Sequence, residues 1–282
     1  MLDFIRVAAA VPDVAVGNAA ENTDRIIEKA DEAEKKSPQL TVFPELALTG
    51  YTCADLFFQQ TLLRSAREGL KKIVSCSEAF SSVIAVGLPL EIHGALYNCA
   101  AVIYRGRLYG IVPKTYIPTY NEFYEKRWFT PGVRLGSVSL AAAELGLGEI
   151  QSESIPAGRD LIFDTGTFRF GAEICEDLWA TVSPGSLLAL GGAEVIINLS
   201  ASNETISKRR YRRSLVQQRL SSAHMSMFPR AARNRRPILF SRDTPLSVKT
   251  AESLRRTRRP SIPTISFTAT STSESFVPTG SK

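Results

Sequence analysis

The chain has 282 residues, of which 44% are hydrophobic, and a mean hydropathy of -0.03. It is long enough to bury a core, and no apolar run reaches the roughly 18 residues that a membrane-spanning helix needs. The first residues contain neither a basic leader nor a clear cleavage site, so we expect a cytoplasmic protein. None of the four cysteines lies in a CxxC pair, which argues against a zinc knuckle and a disulfide scaffold.

The formal net charge of +6 is concentrated near the C-terminus. Residues 225–282 hold eleven Lys and Arg against three Asp and Glu, a net charge of +8, whereas residues 1–224 hold 23 against 25. The C-terminal segment is rich in Arg, Ser, Thr and Pro and has no sustained periodicity. Such a composition buries too little apolar surface to offset the entropy lost on ordering. We therefore assign residues 1–224 to one domain and expect residues 225–282 to be disordered.

Two other interpretations of this basic segment stay open. It could bind RNA or an acidic partner, although charge runs are usually solvated, and we do not expect nucleic-acid binding. The explanation that we favour for the segment is translation out of frame, because suitable codons for residues 237–253 spell a plausible strand and turn in another frame. Resequencing the locus distinguishes this interpretation from the others.

The body of the chain alternates apolar runs with polar, helical ones. We predict strands in residues 5–12, 39–46, 81–90, 164–175 and 193–202, and two strands joined by a turn at Arg105 and Gly106 in residues 97–114. We predict helices in residues 18–36, in residues 65–80 and at the beginning of the segment 187–202. Strands separated by helices indicate a layered α/β domain, and the hairpin indicates a mixed sheet.

Cys175 is the candidate nucleophile. It follows the predicted strand RFGAEI and precedes EDLW, a possible helix start. A thiol at a strand-to-helix elbow faces free backbone N–H groups and the positive end of a helix dipole. We expect these to lower the pKa of the thiol and to provide an oxyanion site. The alternative is a buried structural cysteine.

The general base is expected to be a carboxylate. The chain has only two histidines, His93 in a Gly-flanked turn and His224 at the start of the basic segment, so a Cys–His pair is not expected. Glu45 ends an apolar strand, where water is scarce, and suits the role; the alternative is a surface glutamate. Lys114 ends another strand, where it can pair with carboxylates while facing a developing oxyanion; the alternative is a solvated side chain.

Three phrases, FPEL, PKTYIPTYNEFYEKRWFTPG and GAEICEDLW, occur in an order and at spacings that resemble the signature regions of the nitrilase, or carbon–nitrogen hydrolase, superfamily. The resemblance covers about residues 4–220. It implies a four-layer αββα sandwich, which we expect to be incomplete at its C-terminal end. It also implies that Glu45 is the general base, Lys114 the oxyanion-stabilising cation, Cys175 the nucleophile and Glu125 a supporting residue that orients the lysine.

Four further phrases, ALTGYTCADLF, PTYNEFYEKRWF, CEDLW and NLSASNETISKRRYR, resemble the glutaminase domain of glutamine-dependent NAD synthetases. This resemblance implies that Tyr120, Ser202 and Lys208 contact the substrate L-glutamine, with Lys208 near its α-carboxylate. Because glutamine is a zwitterion, its ammonium also needs an acceptor, and Glu176 suits that role. The alternatives are a turn hydroxyl for Ser202 and an exposed basic run for Lys208.

The implied reaction is hydrolysis of the glutamine side-chain amide through a Cys thioester, without metal or organic cofactor. In the family, ATP and Mg²⁺ serve a synthetase domain, which uses the ammonia to amidate nicotinic acid adenine dinucleotide. The phosphate loop SGGxDS of that domain does not occur in this sequence, so we expect the domain downstream. A homo-oligomer is also expected. The alternatives are a stand-alone amidase acting on another amide, and an inactive fragment with a basic binding tail.

Overall fold

Two β-sheets form the centre of the computed structural model, which describes residues 5–203, 206, 208–219, 225–227 and 264–266. The first sheet contains, in spatial order, β1 (Val7–Ala9), β2 (Leu40–Val42), β3 (Val83–Ile92), β4 (Ala95–Tyr104), β5 (Arg107–Pro113), β9 (Ile155–Ala157) and β8 (Val138–Leu140). The second contains β13 (Met225–Met227), β12 (Val195–Leu199), β11 (Arg169–Ile174), β10 (Ile162–Asp164) and β14 (Thr264–Ser266). A separate small hairpin is formed by β6 (Thr119–Tyr120) and β7 (Phe123–Tyr124).

Both sheets are mixed, as the sequence predicts. In the first sheet β1, β2 and β3 are parallel, whereas β3, β4 and β5 are antiparallel neighbours. In the second sheet β11 is antiparallel to β10 and parallel to β12. Arg105 (φ 43°) and Gly106 (φ 77°) form the tight turn between β4 and β5. Positive φ at both positions suits the right-handed twist of a hairpin, so the predicted turn is confirmed.

Helices cover the outer faces of both sheets. The α-helices are α1 (Ala19–Glu34), α2 (Gln60–Cys76), α3 (Pro184–Leu190) and α4 (Lys208–Arg219). The buried faces of α1 and α2 share a core with one face of the first sheet, in which Ile26 and Leu70 join Val86. On the second sheet, Leu188 of α3 packs with Ile196 of β12. These contacts bury the apolar stripe of each helix against a sheet.

The inner faces of the two sheets pack on each other. Val42, Ala85 and Val102 of the first sheet share one buried core with Phe163 and Phe170 of the second. The rings of Phe163 and Phe170 stack with their centroids 5.0 Å apart. The order of layers is therefore helix, sheet, sheet, helix, and the expected αββα sandwich is confirmed.

Two short strands of the basic segment belong to the second sheet. β13 pairs in parallel with β12, and β14 pairs in parallel with β10, so they lie at opposite edges of the sheet. The rest of residues 225–282 lies outside the described residues, as does His224. The expected disorder is wrong for Met225–Met227 and Thr264–Ser266, which are strands, and it stays a prediction for the other residues of the segment, as does the expected incomplete C-terminal end. No helix in the described part of the chain has the length and apolar character that crossing a membrane requires.

Candidate active site

Three charged side chains from the first-sheet half of the molecule form one buried network. Glu45 lies shortly after β2, Lys114 directly after β5, and Glu125 begins a short 3-10 helix (Glu125–Arg127). Lys114 Nζ lies 2.7 Å from Glu45 Oε1, 2.7 Å from Glu125 Oε1 and 2.8 Å from Glu125 Oε2. The exposed fractions of the three residues are 2% or less. A single ammonium group is thus shared by two buried carboxyl groups.

The network holds the lysine in its charged form. Burial lowers the pKa of Lys114, but the charges of Glu45 and Glu125 outweigh this effect and keep its pKa well above the ordinary value. Burial raises the pKa of Glu125, and Lys114 opposes that rise. A buried ammonium therefore persists at this position because its partners are buried with it.

Further donors fix the two carboxyl groups. Glu45 Oε1 accepts a hydrogen bond from Asn98 Nδ2 at 2.8 Å, and Glu45 Oε2 accepts one from the backbone N–H of Ala201 at 3.0 Å. The hydroxyl of Tyr51 donates to Glu125 Oε1 at 2.7 Å, and burial raises the pKa of Tyr51, so it stays a neutral donor. Because Ala201 follows β12, the second sheet contributes directly to the position of Glu45.

Gly87 on β3 allows the backbone of Glu45 to lie directly on the first sheet. A Cβ atom at Gly87 would lie 2.4 Å from Leu46 N and 2.7 Å from Glu45 Cα. Both distances are far below van der Waals contact, so a larger residue would displace this backbone. The position of Glu45 therefore requires a glycine at position 87 of β3.

Cys175 occupies a strained elbow in the second sheet. It begins a 3-10 helix (Cys175–Trp179) directly after β11, and its φ of 44° is unusual for a residue other than glycine, at a cost of about 1–3 kcal/mol. Asn198 on β12 holds this conformation, because its Oδ1 accepts from Cys175 N at 3.1 Å and its Nδ2 donates to Cys175 O at 3.4 Å. The hydroxyl of Ser200 donates to Cys175 Sγ at 3.4 Å.

The expectation that the elbow lowers the pKa of Cys175 is wrong. Burial and the charge of Glu45 raise the pKa of this thiol to about 12, against the opposing effect of Lys114. The Cys175 N–H is occupied by Asn198, and the helix that follows is one short 3-10 turn, so little dipole acts on the sulfur. Two consecutive residues connect the thiol with the network, because Ser200 donates to Cys175 Sγ and Ala201 N donates to Glu45 Oε2. A thiol with a pKa this high is neutral at neutral pH, and it becomes a strong nucleophile only if a base removes its proton.

Asp177 connects the segment after Lys114 with the elbow at Cys175. Its carboxyl oxygens accept hydrogen bonds from the backbone N–H groups of Tyr116 at 2.8 Å, Thr115 at 3.2 Å and Ile174 at 3.0 Å. Asp177 is buried, and burial raises its pKa to about 7. One side chain thereby ties two sheets together beside the site.

A cavity of about 280 Å³ adjoins Cys175. Its lining consists of Pro118, Tyr120, Asn121, Glu122, Phe123, Cys175, Glu176, Trp179, Ser202, Asn203 and Lys208. The three residues that the resemblance assigns to substrate binding, Tyr120, Ser202 and Lys208, are among them, as is Glu176, which the charge of the glutamine ammonium suggested. Glu45, Lys114 and Glu125 are not in this lining and lie in the protein interior.

The cavity combines an acidic and a basic side chain. Glu176 Oε2 accepts a hydrogen bond of 2.8 Å from the Tyr120 hydroxyl. Lys208 Nζ lies 5.5 Å from the ring centroid of Phe123 and 5.7 Å from that of Trp179, and it donates to Asn203 Oδ1. Burial lowers the pKa of Lys208. Lys208 is therefore half-buried against aromatic rings rather than part of a fully solvated basic run.

Sequence reasoning missed Arg212, which is 8% exposed on α4. Its Nη2 donates to Ser202 Oγ at 3.4 Å, and its guanidinium lies 6.0 Å from the ring centroid of Trp179. The spacing of Lys208, Arg212 and Val216 is helical, and this periodicity within KRRYRRSLV was an available signal.

Asn98, Asn198 and Asp177 were also missed. Asn98 and Asn198 are single amides inside the otherwise apolar strands YNCAAVIY and VIINL, and a buried polar residue in such a run is informative. No group of three or more His, Cys, Asp or Glu side chains that could hold a metal ion occurs among the residues that the structure describes.

Comparison with known proteins places these features in context. The carbon-nitrogen hydrolase family profile matches residues 6–244. A glutamine-dependent NAD(+) synthetase from Mycobacterium tuberculosis is 38% identical over 216 residues, covering 76% of this chain and 30% of that protein. A glutamine-dependent NAD(+) synthetase from Thermotoga maritima is 30% identical over 224 residues, covering 79% of this chain and 34% of that protein. The crystal structure of a glutamine-dependent NAD(+) synthetase from Cytophaga hutchinsonii superposes with a TM-score of 0.65 at 27% identity, covering 76% and 33%. The chain thus spans about a third of the length of these relatives.

Proposed function

Because the chain belongs to the carbon–nitrogen hydrolase family, we propose that it hydrolyses the side-chain amide of L-glutamine to glutamate and ammonia. The observation that carries this proposal is the cavity at Cys175, which offers Glu176 to an ammonium and Lys208 to a carboxylate. A zwitterionic amino acid with an amide at its far end complements this arrangement.

In the proposed reaction Glu45 is the general base. It takes the proton of the Cys175 thiol as the sulfur attacks the amide carbon, which agrees with a resting thiol whose pKa is raised to about 12. Concerted removal of the proton is needed because a free thiolate is scarce at neutral pH. Glu45 then returns the proton to the leaving ammonia.

Lys114 stabilises the negative oxygen that forms in the tetrahedral intermediate, together with the backbone N–H of Glu176. The Lys114 ammonium is charged and fixed in place before the reaction begins, since both oxygens of Glu125 accept hydrogen bonds from it. Water, activated by Glu45, then cleaves the thioester and releases glutamate.

Substrate recognition is assigned to the cavity residues. Lys208 pairs with the α-carboxylate, Glu176 with the α-ammonium, and Tyr120 and Ser202 supply hydroxyl groups. The Tyr120 hydroxyl already holds Glu176 at 2.8 Å, which orients the acidic side chain before substrate arrives.

The proposal extends to the longer protein to which such a domain belongs. We expect no metal or organic cofactor for this half-reaction, and we assign ATP and Mg²⁺ to a synthetase domain that consumes the ammonia. A cytoplasmic homo-oligomer is part of the same proposal.

Ammonia release from L-glutamine by the full chain tests the proposal. We expect Cys175→Ser to abolish release, because the serine hydroxyl is a far weaker acid than the thiol. Cys76→Ser, at the end of α2, is the matched control and should retain full activity. Release by Cys175→Ser near the wild-type rate would remove Cys175 from its role.

The choice of substrate is tested separately. Asparagine and simple aliphatic amides, compared with glutamine at equal concentration, distinguish a glutaminase from an amidase of another specificity. Faster release from one of these amides than from glutamine would replace the substrate in this proposal.

A further inference from the structure

Asn98 is a buried amide in direct contact with the proposed base. It lies on β4 with an exposed fraction of 0%, and its Nδ2 donates to Glu45 Oε1 at 2.8 Å. Its backbone carbonyl accepts from Lys114 N at 2.8 Å, so the residue lies across the strand pair from Lys114. Among the described residues, no donor lies within hydrogen-bond distance of Asn98 Oδ1.

This arrangement is costly for folding. A buried polar atom without a partner loses its hydration and gains nothing in return. An apolar side chain of similar size would avoid that loss at position 98. The single hydrogen bond from Nδ2 to Glu45 therefore points to a role in the chemistry rather than in stability.

The hydrogen bonds of Glu45 show what this contact does. Each carboxylate oxygen has two lone-pair positions for donors. Oε1 is filled, by Lys114 Nζ at 2.7 Å and Asn98 Nδ2 at 2.8 Å, whereas Oε2 receives, from the residues that the structure describes, only the Ala201 N–H at 3.0 Å. Within this part of the chain, one acceptor position of the carboxylate is open, and it belongs to Oε2.

We infer that Asn98 is a positioning residue that fills Glu45 Oε1 and reserves Oε2 for proton exchange with Cys175. The inference rests on the proposed function. In the step concerned, the S–H bond of Cys175 breaks and an O–H bond forms at Glu45 Oε2, while the sulfur electron pair forms the bond to the amide carbon and the π electrons of the C=O bond move to the amide oxygen. Without Asn98, Oε1 has an open position as well, and the carboxylate can turn away from the sulfur.

Asn22 provides the matched comparison for a purely structural amide. It is equally buried, but its Oδ1 accepts from Ala15 N at 2.7 Å, and its Nδ2 donates to Ala15 O at 2.8 Å and Leu48 O at 3.0 Å. All its groups are paired within the chain. Asn22→Leu should therefore lower the denaturation midpoint and leave the chemistry of the folded protein unchanged. Asn98→Leu should leave the midpoint close to wild type and slow the chemistry.

The test measures alkylation of Cys175 by iodoacetamide in the full chain, followed by peptide mass spectrometry. This reaction needs proton removal from the thiol but not glutamine, so it remains informative if glutamine proves not to be the substrate. The half-buried Cys76 serves as an internal control in every sample. Steady-state ammonia release gives kcat and KM for the same variants.

We expect Asn98→Leu to slow Cys175 alkylation and to lower kcat by about ten- to a hundred-fold, the range for a misplaced general base. KM, Cys76 alkylation and the denaturation midpoint should stay close to wild type. Asn98→Asp, of nearly identical shape, should slow alkylation as well, because a further carboxyl group competes with Glu45 for the proton. Alkylation of Cys175 within twofold of wild type in either variant would overturn the inference. Absence of ammonia release by the wild-type chain, with alkylation still dependent on Asn98, would overturn only the proposed function.

Discussion

Lys114 Nζ and Glu45 Oε1 lie 2.7 Å apart in the protein interior, and Glu125 holds the same ammonium from its other side. The stability of the site therefore depends on the positive charge of Lys114, which compensates the two carboxyl groups. Removal of the one cation leaves two carboxyl groups without compensation in a place that water does not reach.

Lys114→Met should lower the free energy of unfolding by about 3–5 kcal/mol near neutral pH. Burial already raises the pKa of Glu125 although Lys114 opposes it, so loss of the lysine raises it further. The Glu125 carboxyl group then binds a proton more tightly in the folded state than in the unfolded state, and stability falls as pH rises. Denaturant unfolding at about pH 5 and about pH 8 checks this, since the defect should be smaller at the lower pH. A defect of equal size at both values would contradict it.

The titration of Cys175 provides a second prediction. With its pKa raised to about 12, the thiol should show no thiolate absorbance in the neutral range. The ultraviolet difference between wild type and Cys175→Ser, recorded as pH increases, isolates this group from the other three cysteines. A thiolate step near neutral pH would mean that Cys175 is activated before substrate binds, and Glu45 would then not be needed to start the reaction.

Gly87→Ala should displace Glu45 through its backbone rather than through its side chain. The added Cβ would meet Leu46 N, Pro44 O and Glu45 Cα within 2.7 Å. A shift of the base by about 1 Å typically lowers kcat by about a hundred-fold. Gly171→Ala is the control, because the three atoms nearest to its added Cβ all belong to the Leu188 side chain of α3, at 2.8 Å or more. Both variants should be less stable, but only Gly87→Ala should lose kcat in the folded fraction.

Lys208→Ala should raise KM for glutamine by about tenfold or more, because a charge-assisted hydrogen bond contributes about 1.5–3 kcal/mol. Hydrolysis of an amide without a carboxylate should not change. Burial lowers the pKa of Lys208 from its ordinary value of 10.5, so KM of the wild type should begin to rise in the alkaline range below that value. Steady-state kinetics at increasing pH measure this, and Lys208→Ala should lack the rise. An equal effect on both amides would place Lys208 outside carboxylate recognition.

The layered fold was predictable because its central strands lie in apolar runs ended by turn residues, although the short strands β6 to β9 were not predicted. The β4–β5 hairpin is marked in the sequence by Arg105 and Gly106, whose positive φ angles the structure confirms. The helix α4 was missed, since KRRYRR reads as a charge run and its inward face carries two cations, the half-buried Lys208 and the buried Arg212. Charge dominated the pattern there, and helical periodicity was the weaker signal.

The chemistry of the site was only partly predictable. The ordered motifs name the three principal groups, but the direction of the Cys175 pKa depends on burial between sheets, which sequence spacing does not reveal. Asn98, Asn198 and Asp177 act through hydrogen bonds to residues that are distant in the chain or to the backbone of the elbow. Such contacts depend on how the elements pack. In the sequence, only the single polar residues within apolar strands, Asn98 and Asn198, indicate them.

The hydrogen bond from Ala201 to Glu45 spans 156 positions of the chain. Glu45 and Lys114 belong to the half that a ribosome completes first, whereas Cys175, Asn198 and Ala201 arrive later. A nascent chain that has passed Lys114 but not yet reached Cys175 contains Glu45 and Lys114 but lacks the thiol of the site. The proposed amide cleavage thus requires residues of both sheets, and those of the second sheet are synthesised last.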